Sequence, residues 1–151
     1  MIRFGRHAAL LLALTAAAPA FAQDWRIAAT AGAKPARSVY LIDAASIVRN
    51  GDTVTFMSQT VFESLSETRD FDRSVTKRQG TCSNLASRIM QNSYYARGVF
   101  SNTDSTPSAN IIAHREGTVM YGVLQTACGV RAMQAGTIAN PEAHVRAYFA
   151  K

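Results

Sequence analysis

Ile47-Val48-Arg49-Asn50-Gly51-Asp52-Thr53-Val54-Thr55-Phe56 is the stretch whose reading decides the fold. β-prone residues flank an Asn-Gly pair. Both residues of that pair tolerate positive φ, so the pattern is a strong hairpin signal, and it places the turn at Asn50-Gly51. The strand that follows runs on to Val61-Phe62. Just upstream, Ser38-Val39-Tyr40-Leu41-Ile42 is rich in β-branched and aromatic residues and is apolar on both faces, which predicts a central strand. Asp43 is placed to cap the short turn Ala44-Ala45-Ser46. Trp25-Arg26-Ile27-Ala28 reads as a short first strand, separated from the central one by the Gly- and Pro-punctuated loop Ala31-Gly32-Ala33-Lys34-Pro35.

Working downstream, Phe71 to Arg78 alternates weakly and carries many charges. It reads as an edge-like strand, because charged side chains discourage edge-to-edge pairing. Leu85 to Val99 mixes signals: Leu85 and Ile89 are spaced for a helix, whereas Tyr94, Tyr95, Val99 and Phe100 suit a strand. Strand is the favoured reading for most of it. Ser101 to Ala109 is polar, contains Pro107 and reads as a mobile loop, with one further short strand over Asn110 to His114.

The clearest helix is Thr118 to Cys128. Met120, Val123, Leu124, Ala127 and Cys128 follow the i, i+3, i+4, i+7, i+8 spacing of one buried face, with Thr118 as N-cap and Gly129 as C-terminal cap. Asn140-Pro141-Glu142 starts a second, short helix: Asn as cap, Pro at the first helical position, an acid in the first turn. Val145, Tyr148 and Phe149 are expected to dock it. The elements add up to an α+β fold, an antiparallel sheet of about five or six strands carrying both helices.

The amino terminus sets the compartment. Met1 to His7 carries Arg3 and Arg6, an apolar run spans Ala8 to Ala20, and Ala20-Phe21-Ala22 is a small-x-small cleavage site. This order is that of a secretory signal peptide, and the run is short for a membrane span. The expected mature chain is one domain, Gln23 to Lys151, delivered to a bacterial periplasm or beyond, with no transmembrane segment. Losing Arg3 and Arg6 lowers the formal net charge from +6 to about +4. That mild charge could help binding to anionic glycans, lipid headgroups or nucleic acid but specifies none of them, and the exported location argues against nucleic acid; a protein or an anionic glycan is the expected partner. In an oxidising compartment the two cysteines, Cys82 and Cys128, are expected to form a structural disulfide. Cys128 ends the apolar stripe of the helix, so the bridge would staple that helix to the sheet.

No residue set spells out catalysis. His114 and His144 are isolated from each other and from the cysteines, so neither reads as a metal ligand, and no cofactor is expected. No Gly-x-Ser-x-Gly elbow is present. Asp70 and Asp72 would share a face of a strand, as paired carboxylates for glycoside chemistry would, but Arg69 and Arg73 beside them point to an exposed, charge-mixed strand. The remaining candidate is basic: Arg73, Lys77, Arg78 and Arg88. Arg73 and Lys77 would share a strand face and, near Arg88, would form a patch for an anionic ligand. The competing reading is a solvated edge that resists aggregation.

Several of these residues also line up with a known pattern. They are Trp25, the segment Val39-Tyr40-Leu41-Ile42-Asp43 with Ser46-Ile47, the Asn50-Gly51 hairpin, Cys82 before a strand ending in Tyr95, Gly98 and Val99, and Gly117-Thr118 leading a helix to Cys128-Gly129. Together they resemble the bacterial surface-adhesin protein E-like family. The resemblance implies an antiparallel sheet with a helix packed on it and one disulfide. It also implies a non-enzymatic binding role, since the namesake adhesin is a lipid-anchored surface protein that binds host proteins such as vitronectin and laminin. Two features depart from the pattern: no cysteine follows the cleavage site, and Ile111 lies near the place of an expected tryptophan. The alternative function is a periplasmic inhibitor of a cell-wall hydrolase such as lysozyme, a role that other small exported β proteins fill.

Overall fold

The computed structural model describes residues 23–151. The expected signal segment, 1–22, lies outside the described residues. The strands are β1 (Trp25–Ala31), β2 (Ser38–Asp43), β3 (Val48–Asn50), β4 (Thr53–Phe62), β5 (Arg73–Thr81), β6 (Ala86–Ala96), β7 (Val99–Asp104) and β8 (Ile112–Ala113). A short 3₁₀ turn, Ala44–Ser46, follows β2, and two helices, α1 (Val119–Ala127) and α2 (Pro141–Phe149), close the chain. The sheet thus has eight strands rather than five or six. Six run in the order β1-β2-β4-β5-β6-β7, while β3 pairs with β4 and β8 with β6. Every pairing is antiparallel.

Alternation along β2 and β4 explains why both of their faces are apolar. Ile42, Val54 and Phe56 join Ala28 in a core cluster with Val123, Leu124 and Ala127 of α1. Val39, Leu41 and Val61, of opposite parity, join Trp25 in a second cluster with Val145 and Phe149 of α2. Successive strand residues point to opposite sides, so the two helices cover opposite faces of one sheet. A bulge between Ile27 and Ala29 turns both Ala28 and Ala29 toward the α1 cluster.

The helix ends follow the cap signals. Thr118 Oγ1 accepts from Tyr121 N, and Asn140 Oδ1 accepts from Ala143 N. At the other end of α1, Gly129 has φ +79 and Arg49 Nε donates to Ala127 O at 2.9 Å. A cation there complements the helix carbonyls. The disulfide Cys82–Cys128 joins the C-cap of α1 to the residue after β5. On α2, Val145 and Phe149 are buried but Tyr148 is exposed, so only two of the three expected docking residues dock.

Four local expectations are corrected. The hairpin turn is Gly51-Asp52, one residue later than Asn50-Gly51, since Asn50 pairs with Thr53. Asp52 explains the shift: its carboxylate accepts from Ser83 N at 2.7 Å and from Ser83 Oγ at 2.6 Å, tying the turn to the loop beside Cys82. The charged strand β5 is interior, between β4 and β6, not an edge. Of its charges, Arg73 meets Glu142 of α2 and the Tyr95 ring, and Lys77 points to solvent from the sheet face. The strand read over Leu85–Val99 breaks at Arg97-Gly98, a two-residue turn with positive φ at both positions. The expected loop Ser101–Ala109 is half strand, because β7 continues that hairpin to Asp104.

Candidate functional site

The sheet splits the basic set. Arg73, Lys77 and Gln79 alternate on one face of β5, and the pairing Gln79↔Arg88 puts Arg88 on that same face. Arg78 lies opposite Phe56, on the α1 face. The expected patch of four is therefore a patch of three, with Arg78 on the other side of the sheet. Sequence parity already separates Arg78 from its neighbours Lys77 and Arg73.

The three coplanar cations are not equally free. Arg73 sits 3.6 Å over the Tyr95 ring, and its Nε lies 3.2 Å from Glu142 Oε2 of α2. That contact is an ion pair by distance only, since Arg73 Nε makes no hydrogen bond of acceptable geometry. Arg88 Nε donates to Gln79 Oε1 at 2.9 Å. Lys77 is exposed. A partner arriving on this face meets Lys77 first and Arg88 beside it.

The carboxylates do not form a pair. Asp70 is exposed, whereas Asp72 is buried at 6 % exposure and precedes β5. Asp72 accepts from Arg97 N at 3.1 Å and from Arg146 Nη2 at 2.6 Å, so it is a structural anchor and the charge-mixed exposed strand is not formed there. His144 is exposed on α2, beside a cavity of about 380 Å³ that Ile27, Thr137 and Asn140 also line. His114 is half-buried, with Nε2 2.9 Å from Ser87 Oγ. Among the described residues no three His, Cys, Asp or Glu side chains converge as a metal would need.

A surface that the sequence reading missed lies at the sheet edge. β7 is the last strand of the path, hydrogen-bonded only to β6, and all six of its residues are exposed. Val99 and Phe100 are 69 % and 55 % exposed, and Ile111 and Ile112 are also largely exposed. Phe100 packs edge-on against Tyr95, 5.6 Å between ring centroids, so Arg73, Tyr95 and Phe100 form a row leading to the edge. Arg97-Gly98 was the available signal, but an Arg at a positive-φ turn position carries little predictive weight against an Asn-Gly.

The chain matches the model of the family described as surface-adhesin protein E over residues 25–129. It belongs to that family. No curated protein and no solved structure matches the chain. The adhesin-E match begins at β1 and ends at Gly129, the residue after the C-cap of α1. It therefore takes in the whole sheet, the α1 layer and both cysteines. The α2 layer, which covers the second face, lies beyond the matched adhesin-E residues.

Proposed function

We propose that the protein is an exported, non-enzymatic binding protein of adhesin type, cleaved after Ala22 to a single domain of residues 23–151, whose β7 edge receives an extended segment of a partner protein. The observation that carries the reading is β7 itself. Natural sheet edges are usually blunted by lysine, proline or a covering element. Val99-Phe100-Ser101-Asn102-Thr103-Asp104 contains neither lysine nor proline, has one charge at its end, and stands uncovered with two large apolar side chains exposed. An extended peptide added to such an edge gains main-chain hydrogen bonds, and alternate side chains supply specificity. Lys77 and Arg88 share the face of Phe100 and favour an acidic or anionic segment.

Membership of the surface-adhesin protein E family and the sequence of 1–22 support export and display outside the cytoplasm. Among the described residues no helix is long and apolar enough to cross a membrane. Nothing in the described residues favours the hydrolase-inhibitor alternative. The deciding experiment measures binding to immobilised vitronectin and laminin by the wild type and by Phe100→Asp. Saturable binding to either that drops at least about tenfold in the variant fits a central apolar anchor on the edge. Binding indifferent to Phe100→Asp would remove the edge from the reading. Protease treatment of intact cells should release the protein; its complete survival would remove surface display. Stoichiometric inhibition of lysozyme would favour the alternative.

A further inference from the structure

On the α1 face, a cavity of about 80 Å³ lies between β5, β6 and the segment running into β8. Arg78, Ser87, Arg88, Ser108, Asn110 and His114 are its polar lining residues, and Ile89 is part of its apolar wall. Arg78 is the unusual member. Its Nε is buried without a hydrogen-bond partner. Among the described residues, no carboxylate ion-pairs with its guanidinium, although Arg26, Arg37, Arg73 and Arg146 each have one. The residue is half-buried, but a buried guanidinium N–H with no hydrogen bond is costly, and proteins ordinarily pair such a group.

Neighbouring groups add to that imbalance. Burial pushes the Arg78 guanidinium below its ordinary value, and burial and then the charge of Arg78 push His114 down as well. His114 is therefore held toward its neutral form, where one ring nitrogen donates and the other accepts. Its Nε2 is engaged with Ser87 Oγ at 2.9 Å. Arg88 lines the cavity as well, but its Nε donates to Gln79 Oε1 at 2.9 Å, which leaves Arg78 as the cation whose Nε has no partner.

We propose that this cavity binds a carboxylate group, with the Arg78 guanidinium as its counter-ion and Ser87 and His114 as hydrogen-bonding neighbours. The volume limits the occupant. A water takes about 30 Å³ of liquid, so the site holds a group of only a few heavy atoms. The planar fork of a guanidinium matches the two oxygens of a carboxylate better than it matches a spherical halide. Asn110 and Ile112 at the rim are exposed, so the carboxylate can be a free small acid or the end of a longer chain. This site is separate from the β7 edge, and its failure would leave the edge reading intact.

The test is a titration of the isotope-labelled protein, followed by amide NMR, with sodium acetate replacing sodium chloride at constant ionic strength. A second arm uses the peptide Gly-Gly-Asp. Saturable shifts centred on Ser87 and His114 are expected, and Arg78→Gln should weaken binding at least about tenfold, the scale of a lost charge-assisted contact. Acetate and peptide binding equally well identifies a free small carboxylate as sufficient; much tighter peptide binding identifies a carboxylate carried by a polypeptide. Linear, non-saturating shifts, or equal shifts in Arg78→Gln, would overturn the proposal. Should Arg78→Gln fail to fold, Ser87→Ala and His114→Gln serve instead, and unchanged affinity in both would overturn it equally.

Discussion

Arg146 Nη2 of α2 lies 2.6 Å from Asp72 Oδ2, and through this contact the segment beyond the family match is fastened to the sheet. Asp72 also accepts from Arg97 N, so one carboxylate holds both α2 and the turn that starts β7. Arg146 Nη1 donates in addition to Phe62 O at 2.8 Å. Removing the guanidinium leaves a buried carboxylate with its charge unpaired. The arginine is about one-third exposed, so the cost falls below that of a fully buried pair. Arg146→Ala should lower stability by about 1–3 kcal/mol. Urea unfolding checks this, and an unchanged midpoint would show that the Arg146–Asp72 contact contributes nothing to holding α2.

The disulfide closes a loop with a sequence separation of 46. Chain-entropy reasoning for a loop of that size gives about 4 kcal/mol of stabilisation. Cys128→Ser should therefore lower the unfolding free energy by a few kcal/mol. The same loss should appear in the wild type on adding a thiol reductant. Equal melting temperatures with and without reductant would contradict this.

Gly80 is a packing requirement rather than a turn requirement. A Cβ there would stand 2.7 Å from Leu124 Cδ2 and 3.2 Å from Val54 Cγ1. Both neighbours are fully buried in the α1 cluster and have no room to retreat. Gly80→Ala should destabilise by about 1–3 kcal/mol through overpacking. The double variant Gly80→Ala with Leu124→Val should recover part of the loss. Additive losses in the double variant would exclude the steric account.

Arg37 and Glu63 set an acid limit. The Arg37 guanidinium, hydrogen-bonded to the Glu63 carboxyl, holds it down at about 2 against an ordinary 4.5. Arg37 also donates to Phe149 O, so the pair supports the end of α2. A carboxylate whose pKa is lower in the folded state contributes fully above its unfolded value. Its contribution is lost as pH falls from about 4.5 toward about 2. Thermal melting across that window should fall more steeply for the wild type than for Glu63→Gln. Parallel curves would show that the pair does not couple to folding.

Local chemistry made much of the fold legible. The caps Thr118 and Asn140 were readable because a capping side chain bonds its own helix's first turn, a few residues away. The apolar stripe ending at Cys128 was readable because helical periodicity is local. Both faces of Ser38–Ile42 are apolar, and this correctly made it central. In contrast, the charges of β5 read as an edge because nothing local pairs them; Glu142 and Tyr95 answer Arg73 from distant parts of the chain. The candidate patch was half legible: parity grouped Arg73 with Lys77, but nothing local showed that Glu142 would engage Arg73.

The sequence by itself determined the two capped helices, the strand-rich first half and the family pattern around Cys82 and Cys128. Each rests on interactions within a few residues or on the order of short motifs. Tertiary structure alone decided that α2 covers the face opposite α1, that β7 is the open edge, and that Arg78, among the described residues, meets no carboxylate. Those outcomes depend on which strands pair and on which groups meet after some tens of residues of intervening chain, information that no local pattern holds.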